Sequence, residues 1–171
     1  MISKLKLANF ISVTPLIFMV FTLVFYIIGL FKPSLYFIKT TYIITLGLVI
    51  LLHIIFKKIF VNMFDQAKRP KGAKGCDFFS IGPDVSGKPG FPSGHISITT
   101  FVCIYFILLI MYNPYFKNKN KNITILFIMA NILTILLMGW ARHYKKCHNI
   151  IQIIGGILLG GSAASLLYFL K

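Results

Sequence analysis

Acidic residues are nearly missing from this sequence. There is no glutamate, and Asp65, Asp77 and Asp84 stand against 18 Lys and Arg, for a formal net charge of +15. In a soluble chain that balance would point to nucleic acid. Here the basic residues sit in short connections between long apolar runs, so nucleic acid is set aside. Anionic lipid headgroups or a phosphorylated substrate are the partners that fit. Cysteine is scarce too, and three residues do not make a disulfide scaffold. Cys103 falls within an apolar run as a packing residue. Cys76 and Cys147 fall on one face of the membrane, where a bridge can form if that face is oxidising. No spanning run carries a charged residue, which argues against an ion channel or transporter. There are no internal repeats and no soluble domain.

Apolar residues are what the chain has in abundance. It is 57% hydrophobic and 15% aromatic, with a mean hydropathy of +0.84, which is the profile of a membrane protein. Phe10 to Phe31, Thr40 to Phe56, Ile96 to Phe116, Asn122 to Ala141 and Asn149 to Leu170 are free of charge. Each approaches or exceeds the roughly 20 residues that cross a hydrocarbon core. The sequence therefore predicts an all-α polytopic bundle of about five transmembrane helices, a single membrane-embedded domain over residues 1–171. The second run is short, and Lys57 and Lys58 are expected to snorkel to the interface. The first run reads as a retained signal anchor, because it is too long for a cleaved leader and no small-residue cleavage site follows.

Five spans place the amino terminus, the 57–95 loop and the 142–148 loop on one face. The 32–39 and 117–121 loops and the carboxyl terminus share the other. The first face holds 12 of the Lys and Arg and the second 6, so the lysine count alone makes the long-loop face cytoplasmic. Residues that bind an anion weaken that signal. The long loop exceeds an ordinary connection, and α-helix is expected to continue from the second span to Lys68 or Arg69, where Pro70 disfavours it.

Three polar clusters interrupt the apolar chain: "KRP" at 68–70, "PSGH" at 92–95 and "ARHYKKCH" at 141–148. All fall on the long-loop face. Cleaving a phosphate ester without a metal needs fixed guanidinium groups for the phosphoryl oxygens, and hydroxyl and amide donors at a helix start. It also needs one histidine to attack phosphorus and another to protonate the leaving oxygen. His95 and His148 are the natural pair.

In this order, "RP", "PSGH" and "R-x5-H" resemble the three-part signature of the type 2 phosphatidic acid phosphatase superfamily. That family includes lipid phosphatases, dolichyl diphosphatases, glucose 6-phosphatase and vanadium haloperoxidases. The match covers about residues 57–160. The resemblance implies that His148 is the nucleophile and His95 the general acid, and that Arg69, Ser93, the Gly94 amide and Arg142 bind phosphate.

The chain departs from the family pattern in three places. The first block ordinarily starts with Lys seven residues before the Arg, and Asn62 stands there. Asn62 can still donate a hydrogen bond. Lys58 returns to the same helical face about 16 Å away, while Lys68 is nearer but about 100° off that face. Ala141 replaces a Ser. Gln152 replaces the Asp that follows the nucleophile, one turn from His148, where its amide oxygen can accept the Nδ1–H bond. Gln there resembles the dolichyl diphosphatase and glucose 6-phosphatase branches.

The resemblance thus implies a multi-pass membrane lipid phosphatase needing no metal or other cofactor, acting through a phosphohistidine on a phosphorylated lipid. Its site would lie between the third, fourth and fifth spans, on the lumenal or extracytoplasmic face. A polyisoprenyl diphosphate, phosphatidic acid and phosphatidylglycerol phosphate are open as substrates. The alternative is a non-catalytic relative that binds phospholipid headgroups, which Asn62 favours and the retained histidines and arginines oppose. A haloperoxidase reading fits poorly with five spans. His53 reads as a packed or helix-bonded histidine, Lys145 and Lys146 as headgroup contacts, and "GGILLGG" at 155–161 as close helix packing within the chain.

Overall fold

The computed structural model describes residues 3–31, 40–112 and 121–170. The 32–39 loop, most of the 117–121 connector and the last turn assigned to the third span lie outside them. The described chain is all helical: α1 (Lys4–Ser12), α2 (Thr14–Phe31), α3 (Thr40–Phe60), α4 (Gly94–Tyr112), α5 (Lys121–Tyr144) and α6 (Ile150–Phe169), with one 3₁₀ turn at Asp65–Ala67. Ser3 caps α1, accepting from the Lys6 amide at 3.2 Å. Pro15 has no N–H to continue the helical ladder, and the joint between α1 and α2 falls just before it, at Val13. Together they form one span, Lys4–Phe31, so five helical segments among the described residues are long and apolar enough to cross a membrane.

Helix α4 is the axis of the bundle. Its Phe101 and Tyr105 are buried against Tyr42 of α3, with ring centroids 5.1 and 4.6 Å apart. Large apolar side chains on the outer faces of α2, α3 and α5 are exposed, as lipid solvation of a bundle requires. Glycine sets the α4–α6 distance. A Cβ on Gly160 would run into the Ser97 carbonyl oxygen, and one on Gly156 would stand 2.8 Å from that of Ser93. The "GGILLGG" run is thus spent on packing inside the chain.

Helix α3 does not continue to Lys68 or Arg69; it ends at Phe60. The Met63 amide turns back onto the Phe60 carbonyl at 3.0 Å, and Phe60 and Phe64 both pack edge-on against Phe91, at 5.2 and 5.3 Å. This aromatic cluster, formed across a gap that no local pattern reveals, folds the chain back before Pro70 is reached. The loop then runs as a narrow ribbon. Arg69 donates to the Lys88 carbonyl at 2.9 Å, Gly87 to that of Arg69 at 3.1 Å, and Val85 to that of Ala73 at 2.8 Å. Cys76 is joined to Cys147 across 71 residues of sequence. Lys145 is buried, with Nζ donating to the Gly75 carbonyl and the Ser80 hydroxyl, both at 2.6 Å. It ties down the loop and is not the headgroup contact expected for it.

Candidate active site

The five residues between α5 and α6, 145–149, place the His148 side chain and close onto Arg142. After Tyr144, Lys146 takes a left-handed φ of 54°, a common way to end a helix. The amides of Cys147 and His148 fold back onto the Arg142 carbonyl at 3.0 and 3.2 Å. Asn149 then caps α6, accepting from the Gln152 amide at 2.9 Å. His148 is held at the turn, 1% exposed.

Gln152 lies one turn further on, and its Oε1 is 2.8 Å from His148 Nδ1. Its Nε2 donates to the carbonyls of Gln66 and Lys68, both at 2.7 Å, which fixes which end of the amide faces the ring. Nδ1 therefore carries the hydrogen and Nε2 keeps its lone pair. Nε2 is 3.4 Å from Arg69 Nη1, which also donates to the Cys147 carbonyl at 3.1 Å. Gly90 leaves room for this arrangement, since a Cβ there would lie 2.6 Å from Gln152 Oε1. Burial, and then the charges of Arg69, Arg142 and Lys57, hold the His148 imidazole well below its ordinary range. It is neutral and nucleophilic at neutral pH.

Helix α4 begins at Gly94, so its first amides have no acceptor within their own helix. Ser93 precedes them, fully buried, with its Oγ unpartnered among the described residues. His95 Nε2 is likewise buried without a partner, and its ring packs 4.6 Å from that of Phe78. Gly94 and His95, with Arg69 and His148, line a cavity of about 270 Å³ at the loop end of the bundle, while Ser93 is buried and is not part of its lining. The elements around it are α2, α3 and α4, roofed by the long loop and by His148. The site expected between the third, fourth and fifth spans is therefore displaced toward the first three. The reason is that α6 packs too closely on α4 to leave space there.

Arg142 is fully buried behind this cavity and does not line it. Its Nη1 donates to the Ser12 hydroxyl at 3.3 Å and its Nη2 to the Cys76 carbonyl, while Nε is left without a partner among the described residues. The two arginines are thus each fixed by the carbonyl of one half-cystine, Arg69 by Cys147 and Arg142 by Cys76.

Two expected residues are not brought in. Asn62 lies beyond the end of α3 and is exposed; the Lys68 side chain is 48% exposed and reaches only Asp65, at 3.9 Å. Lys68 contributes its carbonyl to Gln152 and not its charge. Lys58 is exposed as well. The lysine of the cavity is Lys57, which lines it beside His53; it does not snorkel outward. Counting helical turns back from Arg69 missed it because no helix joins the two. The signal was the i, i+4 pair His53 and Lys57 on a helix that was itself correctly placed.

The family model for the PAP2 superfamily matches residues 39–170. No curated protein and no solved structure matches the chain.

Proposed function

The chain belongs to the PAP2 superfamily, and from that premise we propose that this membrane phosphatase hydrolyses a lipid phosphate or diphosphate through a phosphohistidine on His148, without a metal. The observation that carries the reading is the neutral His148 ring, with Nδ1–H held by Gln152 and Nε2 beside Arg69. In the first step the Nε2 lone pair attacks phosphorus. The bond from phosphorus to the leaving oxygen breaks, its electron pair stays on that oxygen, and His95 supplies the proton. In the second step His95 takes a proton from water, the water oxygen attacks phosphorus, and the P–N bond breaks to free His148 and inorganic phosphate. Arg69, the Ser93 hydroxyl and the α4 amides hold the phosphoryl oxygens, and Arg142 adds charge from behind.

The apolar side of the cavity, with Met19, Ile50 and Ile98, suits the first carbons of a lipid tail entering sideways from the bilayer. A polyisoprenyl diphosphate, phosphatidic acid and phosphatidylglycerol phosphate all present the required headgroup. We place the site on the extracytoplasmic face; the Cys76–Cys147 bridge supports an oxidising side, and the site cations inflate the lysine count that opposes it. Lys57 in the cavity removes the feature that favoured a non-catalytic relative.

The test is phosphate release from these three lipids by purified protein in detergent with EDTA, beside His148→Ala. Release that persists in chelator and disappears in the variant is expected. Loss of all release in chelator, or retained release in the variant, would overturn the mechanism.

A further inference from the structure

His53 is polar, within a transmembrane helix, and unused by the steps above. It stands one turn before Lys57 on α3, so the two share a face, and both line the cavity that holds Arg69, His95 and His148. Its ring lies against the first residue of α4: a Cβ on Gly94 would stand 2.7 Å from His53 Nε2. Its Nδ1 is buried, and the ring meets the backbone of Val49 and Ile50 one turn back on its own helix. A histidine turned into a cavity from within a membrane span is a functional contact by default.

We propose that His53 is a further substrate-contacting residue, which with Lys57 forms a subsite for the second phosphoryl group of a lipid diphosphate. This rests on the lipid-phosphatase reading. The terminal phosphoryl group already has Arg69, Ser93 and the α4 amides. A phosphomonoester would leave an alcohol oxygen, for which one proton from His95 suffices and a further cation is superfluous. A diphosphate places a second anionic phosphoryl group in the same cavity, and α3 supplies the cation and imidazole that remain. Among the described residues no carboxylate lines the cavity to oppose them. Its volume of about 270 Å³ lies near the lower end of ligand sites, about 300–1,000 Å³, and so suits the headgroup with the tail left in the bilayer. When the bond from the terminal phosphorus to the bridging oxygen breaks, the electron pair stays on that oxygen. The leaving group is then a lipid monophosphate whose new oxygen takes the proton from His95 and whose remaining anionic oxygens are held by Lys57 and His53.

The experiment compares farnesyl diphosphate with farnesyl monophosphate, using full-length wild type, His53→Ala and His53→Gln in detergent. His53→Ala should lose about tenfold more kcat/KM on the diphosphate than on the monophosphate, the loss of one hydrogen bond to a charged group. His53→Gln, which keeps a donor, should recover part of it. Melting protection by inorganic diphosphate relative to inorganic phosphate should shrink in His53→Ala, a readout independent of turnover. Equal losses on both substrates, or unchanged protection, would overturn the role of His53 while leaving the phosphatase reading intact. If wild type turns over neither substrate, the phosphatase reading falls and this proposal with it.

Discussion

At the scale of single residues, Lys57 lines the cavity with Arg69, His95 and His148, while Asn62 and Lys58 are exposed outside it. His95, His148 and Arg69, one from each polar cluster, come together at that cavity; the clusters at 92–95 and 141–148 lie at helix ends, whereas the loop carries Arg69 there. Lys57 was hidden by an assumed helix. Lys57→Ala should therefore lower kcat/KM by about tenfold or more, as expected for a charged hydrogen-bonding partner, whereas Asn62→Lys and Lys58→Ala should stay within about threefold of wild type. Steady-state kinetics on the preferred lipid decides between them. Gln152 also gains a meaning that sequence could not supply. An Asp or Glu would lack the amide hydrogens that satisfy two loop carbonyls, so the amide both sets the His148 tautomer and secures the loop.

His148 also makes stability depend on pH. Its folded value is depressed by burial and then by the Arg69 charge, while an unfolded histidine titrates near about 6.5. Below that pH the unfolded chain binds the extra proton and the folded chain resists it. The contribution is full above about 6.5 and is lost as pH falls toward the folded value. Melting midpoints of the unliganded protein should drop on acidification from pH 7 to 5, and His148→Gln should flatten the slope. An unchanged slope would assign it to other groups.

Among the elements, the spans were readable from hydropathy alone, because the bilayer imposes length and polarity on each helix independently. Where a helix stops in water was not, since aromatic contacts between Phe60, Phe64 and Phe91 decide it across sequence distance. The glycine run shows the same limit: its small residues were plain, its partner was not. Gly160→Ala should destabilise by about 1–3 kcal/mol, because its methyl group meets the backbone of α4. Gly161→Ala, whose nearest neighbour is a Thr100 methyl group at 3.8 Å, should be nearly neutral. Thermal melts of the two variants in the same detergent check the contrast.

For the whole molecule, one bridge governs both arginines. Each half-cystine carbonyl fixes a guanidinium group, so Cys76→Ser or Cys147→Ser should reduce kcat/KM by about tenfold or more, as two charged hydrogen-bond positions loosen together. The fold itself should survive, because α4 and α6 still pack. Equal activity with and without reductant would separate the bridge from the site. The sequence showed the two cysteines on one face; that their carbonyls orient the arginines is a tertiary fact.

The span of that bridge also sets a clock. Cys147 follows Cys76 by 71 residues, so the bond closes only after the third and fourth spans have been threaded and an oxidant has been met. Until then both guanidinium groups lack their settled positions. On the proposed mechanism, a half-inserted chain would turn over lipid poorly, and full activity would begin with delivery of the finished molecule.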